Sequence, residues 1–280
     1  MKTLYITDLD GTFLNNQAQV SAESARIITG LSREGALISV ATARTPATVE
    51  PLMRDTYTAA EMVVMTGAAL WNRPGHCYEG LVVPGAVRVS AIVDCLGRRG
   101  DVHPFCYVMR PDGHLDVYHD TANLNSAEAR FVAERSNLPL KTFMLGHQLP
   151  EDDYDRTALF FGMGSQDAIV GAADELRGIT DCYVSYYKDT YTPDLWLIEI
   201  FAPGVSKASG IERLRSRLGA DRVVAFGDNL NDIPMLQAAD VAVAVDNALP
   251  QTKAVADIII GDNDHDAVAR WIADDYRRNG

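Results

Sequence analysis

Two short segments carry carboxylates at a spacing suited to metal and phosphoryl chemistry. The first, Asp8-Leu9-Asp10-Gly11-Thr12, follows directly on the apolar run Leu4–Ile6. Ligands of parallel sheets bind beyond the carboxyl ends of strands, and both aspartates fall at such an end. Both side chains, or one side chain and one main-chain carbonyl, can converge there on a common centre, and Gly11 lets the backbone bend sharply. A plain βα loop with an Asx turn would use the same residue types. The second segment, Gly227-Asp228-Asn229-Leu230-Asn231-Asp232, follows the run Arg222–Phe226. Asp228 stands at the strand end. Asn231 and Asp232 fall in the first turn of the next helix, where a carboxylate also serves as a cap or dipole partner. Placement at the end of a second core strand favours a site shared with Asp8.

Two weaker signals accompany them. Thr42-Ala43-Arg44 follows the strand pattern Ala36–Ala41, although alone the threonine reads as an N-cap and Arg44 as a solvated charge. Lys207 opens a helix, where the positive end of the dipole disfavours a cation. An anion facing Lys207 would account for that placement, and a surface lysine is the alternative.

The elements that must position these residues are legible as alternation. Thr3–Thr7, Ala36–Ala41, Met62–Met65, Arg222–Phe226, Val241–Val245 and Asp257–Ile260 are short, continuous, β-branched runs of the kind buried on both faces of a parallel sheet. Helical patterns lie between them. Ala22–Arg33 carries Ile27, Ile28 and Leu31 on one face, and Lys207–Leu218 is opened by an N-cap at Ser206 and closed by Gly219. This predicts an α/β, Rossmann-like sheet wrapped by helices.

The middle of the chain differs. Phe105–Met109, Leu115–Tyr118, Thr157–Met163, Tyr183–Lys188 and Trp196–Phe201 are longer, more polar and more aromatic, with helical patterns at Ala86–Arg98, Ser126–Asn137 and Ser165–Leu176. They predict an inserted α+β unit with an antiparallel sheet. Joints rich in Pro and Gly at Leu81–Gly85 and Phe201–Gly204 set its limits, giving a core over 1–83 and 203–280 and an insert over 84–202. The aromatic residues Tyr183, Tyr186, Tyr187, Tyr191 and Trp196 are expected in the core of the insert.

Composition narrows the function classes. The chain has 280 residues, with 25 Lys+Arg against 38 Asp+Glu for a formal charge of −13. No Lys/Arg cluster suited to a phosphate backbone is visible, which argues against nucleic acid as a partner. No apolar stretch approaches the roughly 18 residues of a membrane span. Asp8 and Asp10 stand where a signal peptide would need its apolar segment. Cys77, Cys95, Cys106 and Cys182 form no CxxC pair and suggest reduced packing residues of a cytoplasmic protein. No GxxxxGK[ST], HExxH or GxSxG segment occurs, and Gly162-Met163-Gly164 lacks the third glycine of a dinucleotide loop. His114 and His119 fall short of a zinc ligand set.

Taken in order, DLDGT, the threonine of TAR, Lys207 and GDNLND resemble the four motifs of the haloacid dehalogenase superfamily. The insert is similar to the large α/β cap of its Cof-type sugar-phosphate phosphatases (subclass IIB). The second motif departs from the Thr-Gly-Arg or Ser-Gly-Arg of many relatives, and the tail DNDHDAVARWI lacks a common Gly-Val pattern. The resemblance implies a Mg²⁺-dependent phosphatase of small phosphorylated metabolites, with Asp8 as nucleophile and Asp10 as acid and base. It implies Mg²⁺ held by Asp8, the main-chain carbonyl of Asp10 and Asp228. Thr42, Arg44, Lys207 and Asn231 would bind phosphoryl oxygens, with Asp232 orienting Lys207 or a metal-bound water. A cation is needed on physical grounds, because two unit charges about 4 Å apart repel by roughly 4 kcal/mol at an effective dielectric of about 20. Transfer of the phosphoryl group to a sugar hydroxyl, as in phosphomannomutase-like enzymes, is the rival reaction. A durable phospho-switch is disfavoured by an acid/base beside the nucleophile.

Overall fold

A computed structural model describes residues 1–189 and 192–279. The chain divides into two compact units, Met1–Gly80 with Ser206–Gly280, and Leu81–Val205.

In the first unit the chain runs through β1 (Thr3–Thr7), α1 (Ala22–Arg33), β2 (Leu37–Val40), α2 (Pro46–Met53), β3 (Met62–Val64), β4 (Ala69–Asn72) and β5 (Cys77–Glu79). The second unit contributes α3 (Ala86–Arg99), β6 (Phe105–Met109), β7 (Leu115–His119), α4 (Ser126–Arg135), β8 (Lys141–Leu145), β9 (Thr157–Gly164), α5 (Gln166–Ile179), β10 (Tyr183–Lys188) and β11 (Trp196–Phe201). The first unit resumes with α6 (Lys207–Leu218), β12 (Arg222–Gly227), α7 (Ile233–Ala238), β13 (Val241–Ala244), α8 (Pro250–Lys253), β14 (Ile258–Ile259) and α9 (Ala267–Asn279).

The sheet of the first unit has the order β14-β13-β12-β1-β2, with every pairing parallel. From β1 the chain moves to β2 on one side, whereas β12 lies on the other, so the order reverses between β1 and β12. Such a switch point opens a crevice at the carboxyl ends of the two strands. Successive side chains take opposite faces. Leu4, Ile6, Val223 and Ala225 pack with Ile211 and Leu214 of α6 and Met235 and Leu236 of α7. On the other face the Tyr5 hydroxyl donates to Asp275 of α9 at 2.8 Å, and Phe226 meets Trp271 edge-on.

Two expectations about this unit need correction. Met62–Met65 does not take a full place in the parallel sheet. It joins it through a single bridge, Ala41 to Val63, and β3 pairs instead in an antiparallel sheet of order β3-β4-β5. The ribbon β4–β5 has no counterpart in the sequence reading, because its strands are too short for a clear alternation.

The second unit holds a sheet of order β10-β11-β9-β6-β7-β8. One face packs on α3 and α5 through Ile92, Leu96, Val108, Phe160, Ile169, Leu176, Ile198 and Ile200. Its pairings are antiparallel except β7–β8, which is parallel and bridged by α4. Both β8 and this parallel pair were missing from the expectation. Tyr186 and Trp196 pack against the core, but Tyr183 and Tyr187 are exposed, contrary to the core placement expected of them, and Tyr191 lies outside the described residues. The four cysteines are unpaired, three of them buried. Among the described residues no helix is long and apolar enough to cross a membrane.

The start of α6 is fixed by close backbone packing. Gly67 has φ +95°, and a Cβ there would lie 2.1 Å from the Ser206 carbonyl oxygen; a Cβ on Gly210 would lie 2.4 Å from Val63. Gly67→Ala is therefore expected to cost about 2 kcal/mol or more, through overpacking and a left-handed backbone. Gly30→Ala, inside α1 with no atom within 4 Å of the added methyl, should instead stabilise by up to about 1 kcal/mol. Denaturant unfolding of the two variants reads both signs.

Candidate active site

Asp8 is the first residue beyond β1, and its backbone N–H donates to the Phe226 carbonyl at 2.9 Å, which extends the β1–β12 pairing by one step. The chain then turns. Asp10 (φ −75°, ψ 117°) and Gly11 (φ 79°, ψ −3°) are the central residues of a type II turn, whose second position favours glycine. The segment closes with Leu14 N–H on the Leu9 carbonyl at 2.8 Å. Glycine is required at position 11 for a second reason. A Cβ would stand 2.5 Å from Asp228 Oδ2, so the loop after β1 lies directly against the loop after β12.

Asp8, Lys207, Asp232 and Asp228 converge. Lys207 Nζ donates to Asp8 Oδ1 at 2.5 Å and to Asp232 Oδ1 at 2.7 Å, with its side chain 2% exposed. The cation at the start of α6 thus faces two anions. Asp232 Oδ2 accepts the backbone N–H groups of Asp228 (3.0 Å) and Asn229 (3.1 Å). The capping and the chemical readings of Asp232 therefore coincide, one oxygen closing the turn and the other holding the lysine. A Cβ on Gly227 would meet Asp232 Cβ at 2.6 Å, so glycine there admits that carboxylate.

Electrostatically the cluster is short of positive charge, since three carboxylates face one ammonium. Burial raises Asp8 most, Lys207 pulls it down, and the neighbouring Asp232 and Asp228 push it up, with the outcome about 7. Burial likewise pushes Asp228 up to about 6, against the hydrogen bond from Thr12. For Lys207, burial opposes the charge, but Asp8 and Asp232 outweigh it and hold the ammonium firmly protonated. Oxygens of Asp8, Asp228 and Asp232 lie within 4.8 Å of one another. An all-oxygen donor set with excess negative charge fits a hard divalent cation.

The other expected residues stand around this centre. Arg44 makes a two-pronged pair with Asp10, Nε to Oδ2 at 2.7 Å and NH2 to Oδ1 at 2.6 Å. Thr42 is buried just past the end of β2, and its hydroxyl accepts the Arg44 N–H at 3.1 Å. Asn231 is exposed. Among the described residues no hydrogen bond joins Thr42 or Asn231 to the Asp8 cluster. Three positioning residues were missed from the sequence. Thr12 Oγ1 donates to Asp228 Oδ1 at 2.8 Å, Asn247 Nδ2 to the Gly11 carbonyl at 2.7 Å, and Asn263 Nδ2 to the Leu14 carbonyl at 2.8 Å. Asn247 follows β13 at the same carboxyl edge of the sheet, a signal the sequence did offer.

The family of haloacid dehalogenase-like hydrolases matches residues 5–272. The Bacillus subtilis 5-amino-6-(5-phospho-D-ribitylamino)uracil phosphatase YcsE is 25% identical over 273 residues, 96% of this chain and 94% of that protein. The Arabidopsis thaliana chloroplastic endoribonuclease YBEY is 28% identical over 289 residues, 94% of this chain but 44% of that protein, so the chain spans under half its length. Among solved structures, the subclass IIB sugar phosphatase BT4131 superposes with a TM-score of 0.69 at 17% identity, covering 99% of each chain. The chain belongs to the haloacid dehalogenase-like hydrolases, as a Cof-type member with a parallel-sheet core and a largely antiparallel inserted sheet.

Proposed function

We propose that this enzyme is a Mg²⁺-dependent phosphatase of small phosphate monoesters, with sugar and sugar-alcohol phosphates as the leading substrates and an aspartyl-phosphate intermediate. The observation that carries the reading is the convergence of Asp8, Lys207 and Asp228 at the crevice between β1 and β12. The polyol phosphate named for YcsE and the sugar phosphatase BT4131 support the substrate class.

Asp8 is the nucleophile, and its carboxylate oxygen bonds to phosphorus as the bond to the leaving alkoxide breaks. Lys207, with Thr42 and Asn231, neutralises and orients the phosphoryl oxygens, a stabilisation by groups already in place. Asp232, fixed by two backbone N–H groups, keeps Lys207 aimed at Asp8. Asp8, the Asp10 carbonyl and Asp228 would hold Mg²⁺, which when bound supplies the positive charge the cluster lacks.

Asp10 gives its proton to the leaving oxygen and then takes one from the water that opens the acyl-phosphate, releasing inorganic phosphate and restoring Asp8. In the present arrangement both Asp10 oxygens are taken by Arg44. A guanidinium fork binds phosphate as readily as carboxylate. Substrate phosphate drawing Arg44 away would free the Asp10 oxygens to reach the leaving group. The Leu81–Val205 unit, on this reading, selects the leaving group, and the enzyme is cytoplasmic and needs no nucleic-acid or membrane partner.

A phosphate-release screen across phosphometabolites tests the reading, with chelator and Asp8→Asn as controls. Asp8→Asn should lower kcat by about 10³-fold or more, as expected for removal of a catalytic nucleophile, with its melting temperature retained. Wild-type turnover by that variant would remove Asp8 from the nucleophile's role. Asp228→Ala should raise the Mg²⁺ concentration at half-maximal rate at least tenfold, and an unchanged metal titration would exclude Asp228 as a ligand. Label from the substrate phosphate should appear as inorganic phosphate; its retention on a second sugar position would identify a mutase.

A further inference from the structure

The Leu81–Val205 unit carries a buried cation that the chemistry above does not use. Lys141 opens β8 and is 5% exposed. Its ammonium lies over two rings, 5.3 Å from the Tyr107 centroid and 5.8 Å from that of Phe143. Among the described residues no carboxylate forms an ion pair with it, and the one side-chain charge that perturbs it is of its own sign, Arg135.

Burying an ammonium without a counter-charge is costly, and ring contacts return only part of that cost. Burial, followed by Arg135, accordingly pushes Lys141 down to about 8. Arg135 reaches the same region from α4, its guanidinium 4.3 Å over the Phe131 ring, and among the described residues its one ion pair is with the half-exposed Glu134. Phe131 in turn packs on Phe105, Phe143 and Phe161, on the sheet face opposite α3 and α5. The buried Tyr107 phenol is influenced by Arg135 and, oppositely, by Glu199 of β11, whose carboxyl accepts from Tyr187 Oη at 3.3 Å. One sheet face therefore presents two like charges beside an aromatic floor, followed by hydrogen-bonding groups of both kinds.

We propose that Lys141 and Arg135 form a recognition site for the oxyanion group of a small organic molecule, carboxylate, sulfate or phosphate. The ligand's apolar part would lie against the partly exposed Phe143, and its hydroxyls would meet Tyr187 and Glu199. The site lies within one unit and does not rest on the phosphatase reading.

Inorganic sulfate is the probe, titrated calorimetrically into the full chain and into Lys141→Met and Lys141→Arg. Lys141→Met should weaken sulfate binding tenfold or more while melting at the same or a higher temperature, because a cation kept for a ligand is a burden without it. Lys141→Arg should retain binding. Absence of binding to the wild-type chain, equal binding by Lys141→Met, or a Lys141→Met chain that melts lower or fails to fold would each overturn the proposal. The last outcome would make Lys141 a structural post on its two rings.

Discussion

One buried ammonium shared between two carboxylates organises the carboxyl end of the parallel sheet. Lys207 can sit 2% exposed only because Asp8 and Asp232 both reach it, and those carboxylates tolerate burial only because the lysine is there. Removing Lys207 would leave two buried carboxylates without their counter-charge, whereas removing Asp8 leaves the ammonium paired with Asp232. The remaining constraints serve this arrangement. The glycine contact between Gly67 and Gly210 brings the first turn of α6 close to the loop after β3, Gly11 and Gly227 clear room for Asp228 and Asp232, and Asn247 and Asn263 hold the loop that follows Asp8.

The centre nevertheless remains anionic after Lys207 is counted. Sites that must accept a multiply charged anion usually present net positive charge, and here the carboxylates exceed the cations. A hard cation would resolve the contradiction, since the same carboxylates that repel an anion could hold it. Arg44 completes the balance at the rim, where it is paired with Asp10 at a position more open to water.

Much of this was readable from the chain alone because each chemical residue is local to an element with a strong pattern. Asp8 and Asp228 follow continuous apolar runs, and Lys207 sits between a Ser N-cap and a Gly219 C-cap at φ 61°, so helix α6 was bounded correctly. What escaped was set by tertiary pairing. The ribbon β4–β5 consists of strands of four and three residues whose burial comes from partners. Strand β8 pairs parallel to β7, a choice made by the α4 crossover and invisible in β8 itself. Tyr183 and Tyr187 alternate with the buried Val184 and so point away from the packed face, although the cluster of aromatic residues read as core. Thr12 lay inside a recognised motif, yet its partner Asp228 is 216 residues away.

The pairing of β1 with β12 has a consequence for biosynthesis. Thr3 aligns with Arg222 and Thr7 with Phe226, so β1 joins a strand made much later. On the ribosome β1 must wait, flanked on one side only by β2, with its other edge open until β12 emerges. Long-range strand pairing of this kind is slow and leaves an unpaired edge to be guarded meanwhile. Aspartates directly after that strand keep the nascent edge charged at its end, and no nascent chain shorter than Asp232 can assemble the charge cluster at all.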